Sequence, residues 1–182
     1  YANAYDPHVW FDVSLWSQAV AYAGEQLATL DTLHAGHYRA NTARFRQELD
    51  TLHQWVQAEI ASIPPDQRVM ITAHDAFEYF GRAYGIEVRG LQGISTVSEF
   101  GLRDVSDLVS FIVDRRIKAV FVESSVPRKS LEAVVEGCGR RGHEVRIGGT
   151  LYSDAMGEAG TPEGTYPGMV RANIRTIVDA LR

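Results

Sequence analysis

Cysteine is nearly absent. Cys138 stands alone among 182 residues, which excludes an intrachain disulfide framework and any thiolate cluster for a metal. No apolar run is long enough to span a bilayer. No charged segment leads into an apolar one, so no signal peptide is visible. Charge of one sign is not concentrated anywhere: 18 Lys and Arg face 23 Asp and Glu, for a formal net charge of −5. That mixture offers no basic stripe for nucleic acid and no polybasic membrane anchor. Internal repeats and low-complexity segments are also missing. The glycine-rich "GEAGTPEGTYPG" (157–168) lacks the lysine of a phosphate-cradling loop, which removes the case for nucleotide binding. Its glycines are instead expected to let a wide loop wrap a site and deliver Asp154. What remains is a chain that is 45% hydrophobic, suited to one or two small globular domains.

Two helical patterns come first. Val13, Trp16, Val20, Ala23 and Leu27 recur at spacings of three and four over 13–29, with Asp12 as N-cap. A longer stripe from Tyr38 to Ile60 (Phe45, Leu49, Leu52, Val56, Ile60) is stopped by Pro64-Pro65, the best domain boundary. The texture then changes. "RVMIT" (68–72), "KAVFVE" (118–123) and "EVRIGG" (144–149) read as short buried strands, and "IEVRGLQG" (86–93) as a weaker one. Helical patterns alternate with them at 75–84, 102–116, 128–141 and 166–181. The first of these has Asp75 and Glu78 in capping-box register and Gly85 to close it. Strand alternating with helix predicts an α/β fold whose mostly parallel four-stranded sheet is covered by helices.

In an open parallel sheet, ligands sit beyond the carboxyl ends of the strands. "RVMIT" leads to His74, "KAVFV" to Glu123, and "EVRIGGTLY" to Ser153 and Asp154. The topology therefore collects three polar side chains on one edge, and His8 in "YDPHVWFDV" could meet them from a proline-stiffened turn. Each has a plain reading: His74 as a helix cap, Asp154 as an Asx-turn residue, Glu123 as an acceptor for backbone N–H groups, His8 as a turn histidine. Together, two imidazoles and one or two carboxylates without a thiolate form an N/O donor set suited to Zn²⁺, Mn²⁺ or Fe²⁺. His34, His37, His53 and His143 have no such placement. Trp10 and Phe11 read as core.

"DPHVWFD", "TAHDAFEYFGRAYGIEVRGLQGISTVSE", "VFVESSVPRKSLEAV" and "LYSDAMGEAGTPEGTYPGMVRANIRTIVDAL" together resemble the substrate-binding proteins of zinc- and manganese-importing ABC transporters, in particular the TroA-like members. The resemblance covers nearly the whole chain. It implies two α/β lobes joined by one long rigid helix, with the metal buried between the lobes. It also implies an extracytoplasmic protein, periplasmic or lipid-anchored, that hands a divalent metal to a membrane permease and is not an enzyme. Residues 1–34 would be a remnant of the N-terminal lobe, 35–65 the connecting helix, and 66–182 the C-terminal lobe. His8, His74 and Asp154 would be metal ligands; Glu123, read from its place at the end of its strand, is expected to orient one of them. Some manganese-preferring relatives carry Glu where this chain has His74.

The family's earlier N-terminal histidine has no counterpart in this sequence. The chain is therefore expected to fold but to bind metal weakly, and to self-associate through apolar surface on the connecting helix. Two rival readings carry the same residues. One is a zinc hydrolase with Glu123 as base; the other is an adhesin or interaction lobe with a structural metal.

Overall fold

The computed structural model describes residues 5–94 and 101–182. The end of the second resemblance motif, residues 95–99, lies outside them. A 3-10 turn, Val9–Phe11, leads into α1 (Val13–Leu30), and α2 (Ala35–Ala61) follows. β1 (Val69–His74), α3 (Glu78–Tyr84), β2 (Glu87–Gln92), α4 (Leu102–Asp114), β3 (Ala119–Glu123), α5 (Lys129–Arg140), β4 (Arg146–Leu151) and α6 (Tyr166–Leu181) complete the order. The four strands form one parallel sheet in the order β2-β1-β3-β4. The α/β class and the parallel sheet read from the sequence are the ones found.

Strand parity divides the core in two. Val69, Ile71 and Ala73 of β1, with Val120 and Val122 of β3, pack against Leu108, Val109 and Ile112 of α4 and Leu131, Val134 and Cys138 of α5. The alternate residues, Met70 of β1 with Ala119 and Phe121 of β3, face Leu49, Leu52, Val56 and Ile60 of α2 and the apolar stripe of α6. Side chains two apart in a strand share a face. His74 therefore follows Met70 and Thr72 onto the α2/α6 side, and Glu123 follows Ala119 and Phe121 there. The second core runs from Phe11 and Val13 through α2 to the sheet, on both sides of Pro64-Pro65.

α2 has 27 residues, a length of about 40 Å at the usual helical rise. Its buried residues, Leu49, Leu52, Val56 and Ile60, all lie in the C-terminal half. The N-terminal half lies along α1, with Arg39 donating to Glu25 and Arg46 to the Ser17 hydroxyl. Tyr22, Leu27 and Leu30 of α1, and Leu33 beyond it, are exposed.

Several boundaries depart from the sequence reading. α2 begins three residues before Tyr38. β4 begins and ends two residues later than "EVRIGG", beside a register irregularity at Val120/Phe121. Most consequential is the start of α3. Asp75 and Glu78 do not form a capping box, because β1 continues to His74 and the helix opens at Glu78 with no side-chain cap. Pairing of Thr72 and His74 with Gly90 and Gln92 keeps the segment extended. Burial of Ala76 and Phe77 then delays the helix. Asp12 does cap α1, accepting from the Ser14 and Leu15 N–H groups.

Candidate metal centre

The strand order reverses direction once: β2 lies on one side of β1, while β3 and β4 lie on the other. A crevice opens beyond the carboxyl ends of the strands at such a switch point. His74 ends β1 and Glu123 ends β3 beside it, and Asp154 lies three residues past the end of β4. His8 arrives from the turn before α1. Its ring lies 5.4 Å from that of His74, centroid to centroid.

The three side chains converge. His8 Nε2 is 3.3 Å from Asp154 Oδ1, and His74 Nε2 is 3.6 Å from Asp154 Oδ2. One ligand atom from each of His8, His74 and Asp154 lies within 4.8 Å of the others, the only such group among the described residues. Tetrahedral zinc with bonds of about 2.0–2.1 Å would place its ligand atoms about 3.3–3.4 Å apart. The spacing thus fits a small divalent cation at the centre.

Behind each imidazole stands a carboxylate. His74 is fully buried, and its backbone N–H donates to Glu123 Oε1 at 2.9 Å. Its Nδ1 lies 2.6 Å from Glu123 Oε2, a short contact set off the ideal hydrogen-bond axis. His8 repeats the plan with Asp6: its backbone N–H donates to Asp6 Oδ1 at 3.0 Å, and its Nδ1 lies 2.6 Å from the same oxygen. An ionised carboxylate only accepts, so it draws the ring proton to Nδ1. Each Nε2 then turns a lone pair toward Asp154. Lone pairs facing a carboxylate at these distances repel unless a cation or proton lies between them. His74 Nε2 is buried without a hydrogen-bond partner.

Burial opposes charge on the His74 ring. Glu123 outweighs it, helped by the negative charges of Asp154 and Asp75, and His74's pKa rises above the ordinary imidazole value. Asp75 is also raised, first by burial and then by the neighbouring Glu78 and Asp6. Asp154, with about a third of its side chain exposed, is the open side of the site.

The remaining histidines go elsewhere. His34 meets Asp31, His37 meets Asn41, His53 meets the Tyr84 hydroxyl at 3.0 Å, and His143 meets the Ile117 carbonyl. Cys138 is buried in α5. The glycine-rich run begins three residues beyond Asp154 and reaches the site through Tyr166, whose hydroxyl donates to the Trp10 carbonyl. It folds on itself through Gly157 N–H to Glu163 O and Thr161 N–H to Glu158 O, downstream of Asp154.

The family model described as zinc-uptake complex component A, periplasmic, matches residues 2–180. The chain belongs to this family. It is 54% identical over 180 residues to the manganese-binding lipoprotein MntA of Bacillus subtilis (strain 168), covering 99% of this chain and 59% of that protein. It is 51% identical over 177 residues to the zinc-binding protein TroA of Treponema pallidum, covering 97% of this chain and 58% of that protein. The solved structure of the periplasmic zinc-binding protein TroA from Treponema pallidum superposes with a TM-score of 0.96 at 50% identity, over 99% of this chain and 65% of that one. The chain thus spans about three fifths of the length of the curated relatives it matches. The family is one of metal-binding uptake components, not of enzymes.

Sequence reasoning missed Asp6. Its signal was its place two residues before His8, where one carboxylate oxygen can reach both the backbone N–H and the ring. Gly90 was also missed. A Cβ there would come within 2.6–2.8 Å of backbone atoms of His74, Asp75 and Gln92, so only glycine lets β2 lie this close to the His74 strand end.

Proposed function

We propose that this chain carries the metal-holding part of an extracytoplasmic solute-binding protein, which captures Zn²⁺ or Mn²⁺ between two lobes and delivers it to an ABC permease. Residues 66–182 form the C-terminal lobe, 35–65 the connecting helix, and 1–34 part of the N-terminal lobe. His8, His74 and Asp154 are the ligands. Asp6 and Glu123 fix the tautomers of the two imidazoles, and Glu123 raises the basicity of His74.

The observation that carries this reading is the convergence of three side chains from distant parts of the sequence, two of them buried imidazoles with their free nitrogens aimed at one carboxylate. The donor set accepts either metal, and among divalent ions Zn²⁺ outcompetes Mn²⁺ at N/O ligands in solution. The relatives' descriptions divide the same way, one manganese-binding and one zinc-binding. The hydrolytic reading that makes Glu123 the base is disfavoured, because both Glu123 oxygens face His74.

Metal titration with His74→Ala and Asp154→Ala tests the reading. Each substitution should remove a ligand and weaken Zn²⁺ binding by more than the roughly 10–100-fold typical of losing a supporting partner. Unchanged affinity in either variant rejects the site.

A further inference from the structure

Asp154 differs from the two histidines in one respect. Asp6 backs His8 and Glu123 backs His74, yet among the described residues Asp154 has no polar partner of its own apart from the two rings. It also sits on an irregular segment after β4. Support for it comes through its neighbour Ser153, which is 2% exposed. The Ser153 hydroxyl lies 2.6 Å from that of Ser125, after β3. The Ser153 carbonyl accepts from the indole N–H of Trp10 at 3.3 Å.

Trp10 is itself held from two sides. The Tyr166 hydroxyl at the start of α6 donates to the Trp10 carbonyl at 2.7 Å. The indole also meets the His8 ring edge-on, centroids 5.3 Å apart. Trp10 therefore touches the ring of one ligand and the residue preceding another, across 143 residues of sequence. Burial pushes the Tyr166 pKa far above the ordinary phenol value, so the hydroxyl keeps its proton and remains a donor.

We infer that Trp10 and Tyr166 are positioning residues that clamp the Asp154 segment against the His8 turn and so set the distance between these two ligands. The inference rests on the metal-site reading above and deepens it. A clamp of this kind forms the site before the metal arrives, which lowers the ordering cost of binding. Trp10 would act on affinity through Asp154, while the shape of the turn is kept by Phe11, packed on Phe77 with centroids 4.3 Å apart.

The test is a double-mutant cycle on the protein at its full natural length, with Zn²⁺ titrated against a chromophoric chelator. Trp10→Phe keeps an aromatic edge against His8 and deletes the N–H. It should weaken binding by about tenfold, the lower end of the range for supporting groups. In the Asp154→Asn background the same change should cost less than about twofold, because contributions that act through one residue are not additive. Tyr166→Phe should show the same pattern at smaller size, and it serves alone if Trp10→Phe does not fold. An unchanged Zn²⁺ affinity in these variants overturns the clamp. So does an equal loss in both backgrounds, which marks a general structural effect. If the wild-type protein takes up no Zn²⁺, the metal-site reading fails and takes the clamp with it. If the wild type binds and Asp154→Asn binds equally well, the ligand assignment fails first.

Discussion

Glu123→Gln separates the two roles of the carboxylate behind His74. The residue pair has fully buried side chains, 0% exposed for both. Glu123→Ala would strand the ring N–H and the backbone N–H of His74, at about 1–3 kcal/mol for each buried donor left without a partner. Their sum is a large share of the about 5–15 kcal/mol by which a domain is stable. Glutamine keeps the shape and one acceptor, so Glu123→Gln should fold. It removes the charge that fixes the ring and strengthens its lone pair, and Zn²⁺ affinity at pH 8 should fall by about 10–100-fold. The pH dependence should move the other way. Glu123 is the main group raising the His74 pKa against the effect of burial. Without its charge, protons should compete for the ring only at lower pH. The affinity of Glu123→Gln should therefore be weaker at high pH and hold to a more acidic midpoint than the wild type. Zn²⁺ titrations against a chelator from pH 5.5 to 8 measure both quantities. A midpoint that stays fixed or moves toward alkaline pH refutes the coupling of Glu123 to the ligand ring.

Other outcomes follow from the same geometry. Wild-type metal affinity should fall as pH drops, with the loss beginning above the ordinary imidazole value of about 6.5 because His74 is raised; a constant flat from pH 5.5 to 8 would point to carboxylates alone. In the metal-free protein, His74 works in the opposite sense. A raised folded pKa gives stability that is present below the unfolded pKa and lost as pH rises through the folded one, so His74→Gln should flatten that part of the stability–pH curve in thermal melts. Gly90→Ala should press on the backbone at His74 and weaken Zn²⁺ binding, and a variant with unchanged affinity would show that the strand end can shift freely. The exposed large apolar side chains expected on the connecting helix lie instead on α1 and the turn after it; we propose that they mediate self-association, which Leu30→Lys with Leu33→Lys should reduce in sedimentation experiments, and equal association would place the contact elsewhere.

Much of the fold was legible because its signals are local. Among the described residues, hydrophobic periodicity marked five of the six α-helices, capping and closing residues marked α3, and β-branched runs marked three of four strands. β2, with the mixed sequence "EVRGLQ", was weaker because an edge strand is buried less continuously. His74 and Asp154 were legible as candidate ligands from topology, since a parallel sheet gathers its strand ends at one edge, whereas His8 was carried by the family resemblance. What the sequence hid depends on contacts across long separations. The start of α3 was displaced because strand pairing outcompeted a local capping pattern at Asp75. Trp10 read as core, yet it is half-buried, and its indole and carbonyl are both engaged by residues more than 140 positions away. The glycine-rich run was read only as a wide loop, because glycine content shows that a loop can bend and not that its backbone closes on itself between Gly157 and Glu163.

The most direct test of the ligand assignment is an anomalous-difference map from crystals of the Zn²⁺-loaded protein. A single strong peak is expected about 2.0–2.2 Å from His8 Nε2, His74 Nε2 and an Asp154 oxygen, with Asp6 and Glu123 still behind the rings. A peak coordinated elsewhere, or one that touches only one of these three side chains, would contradict it.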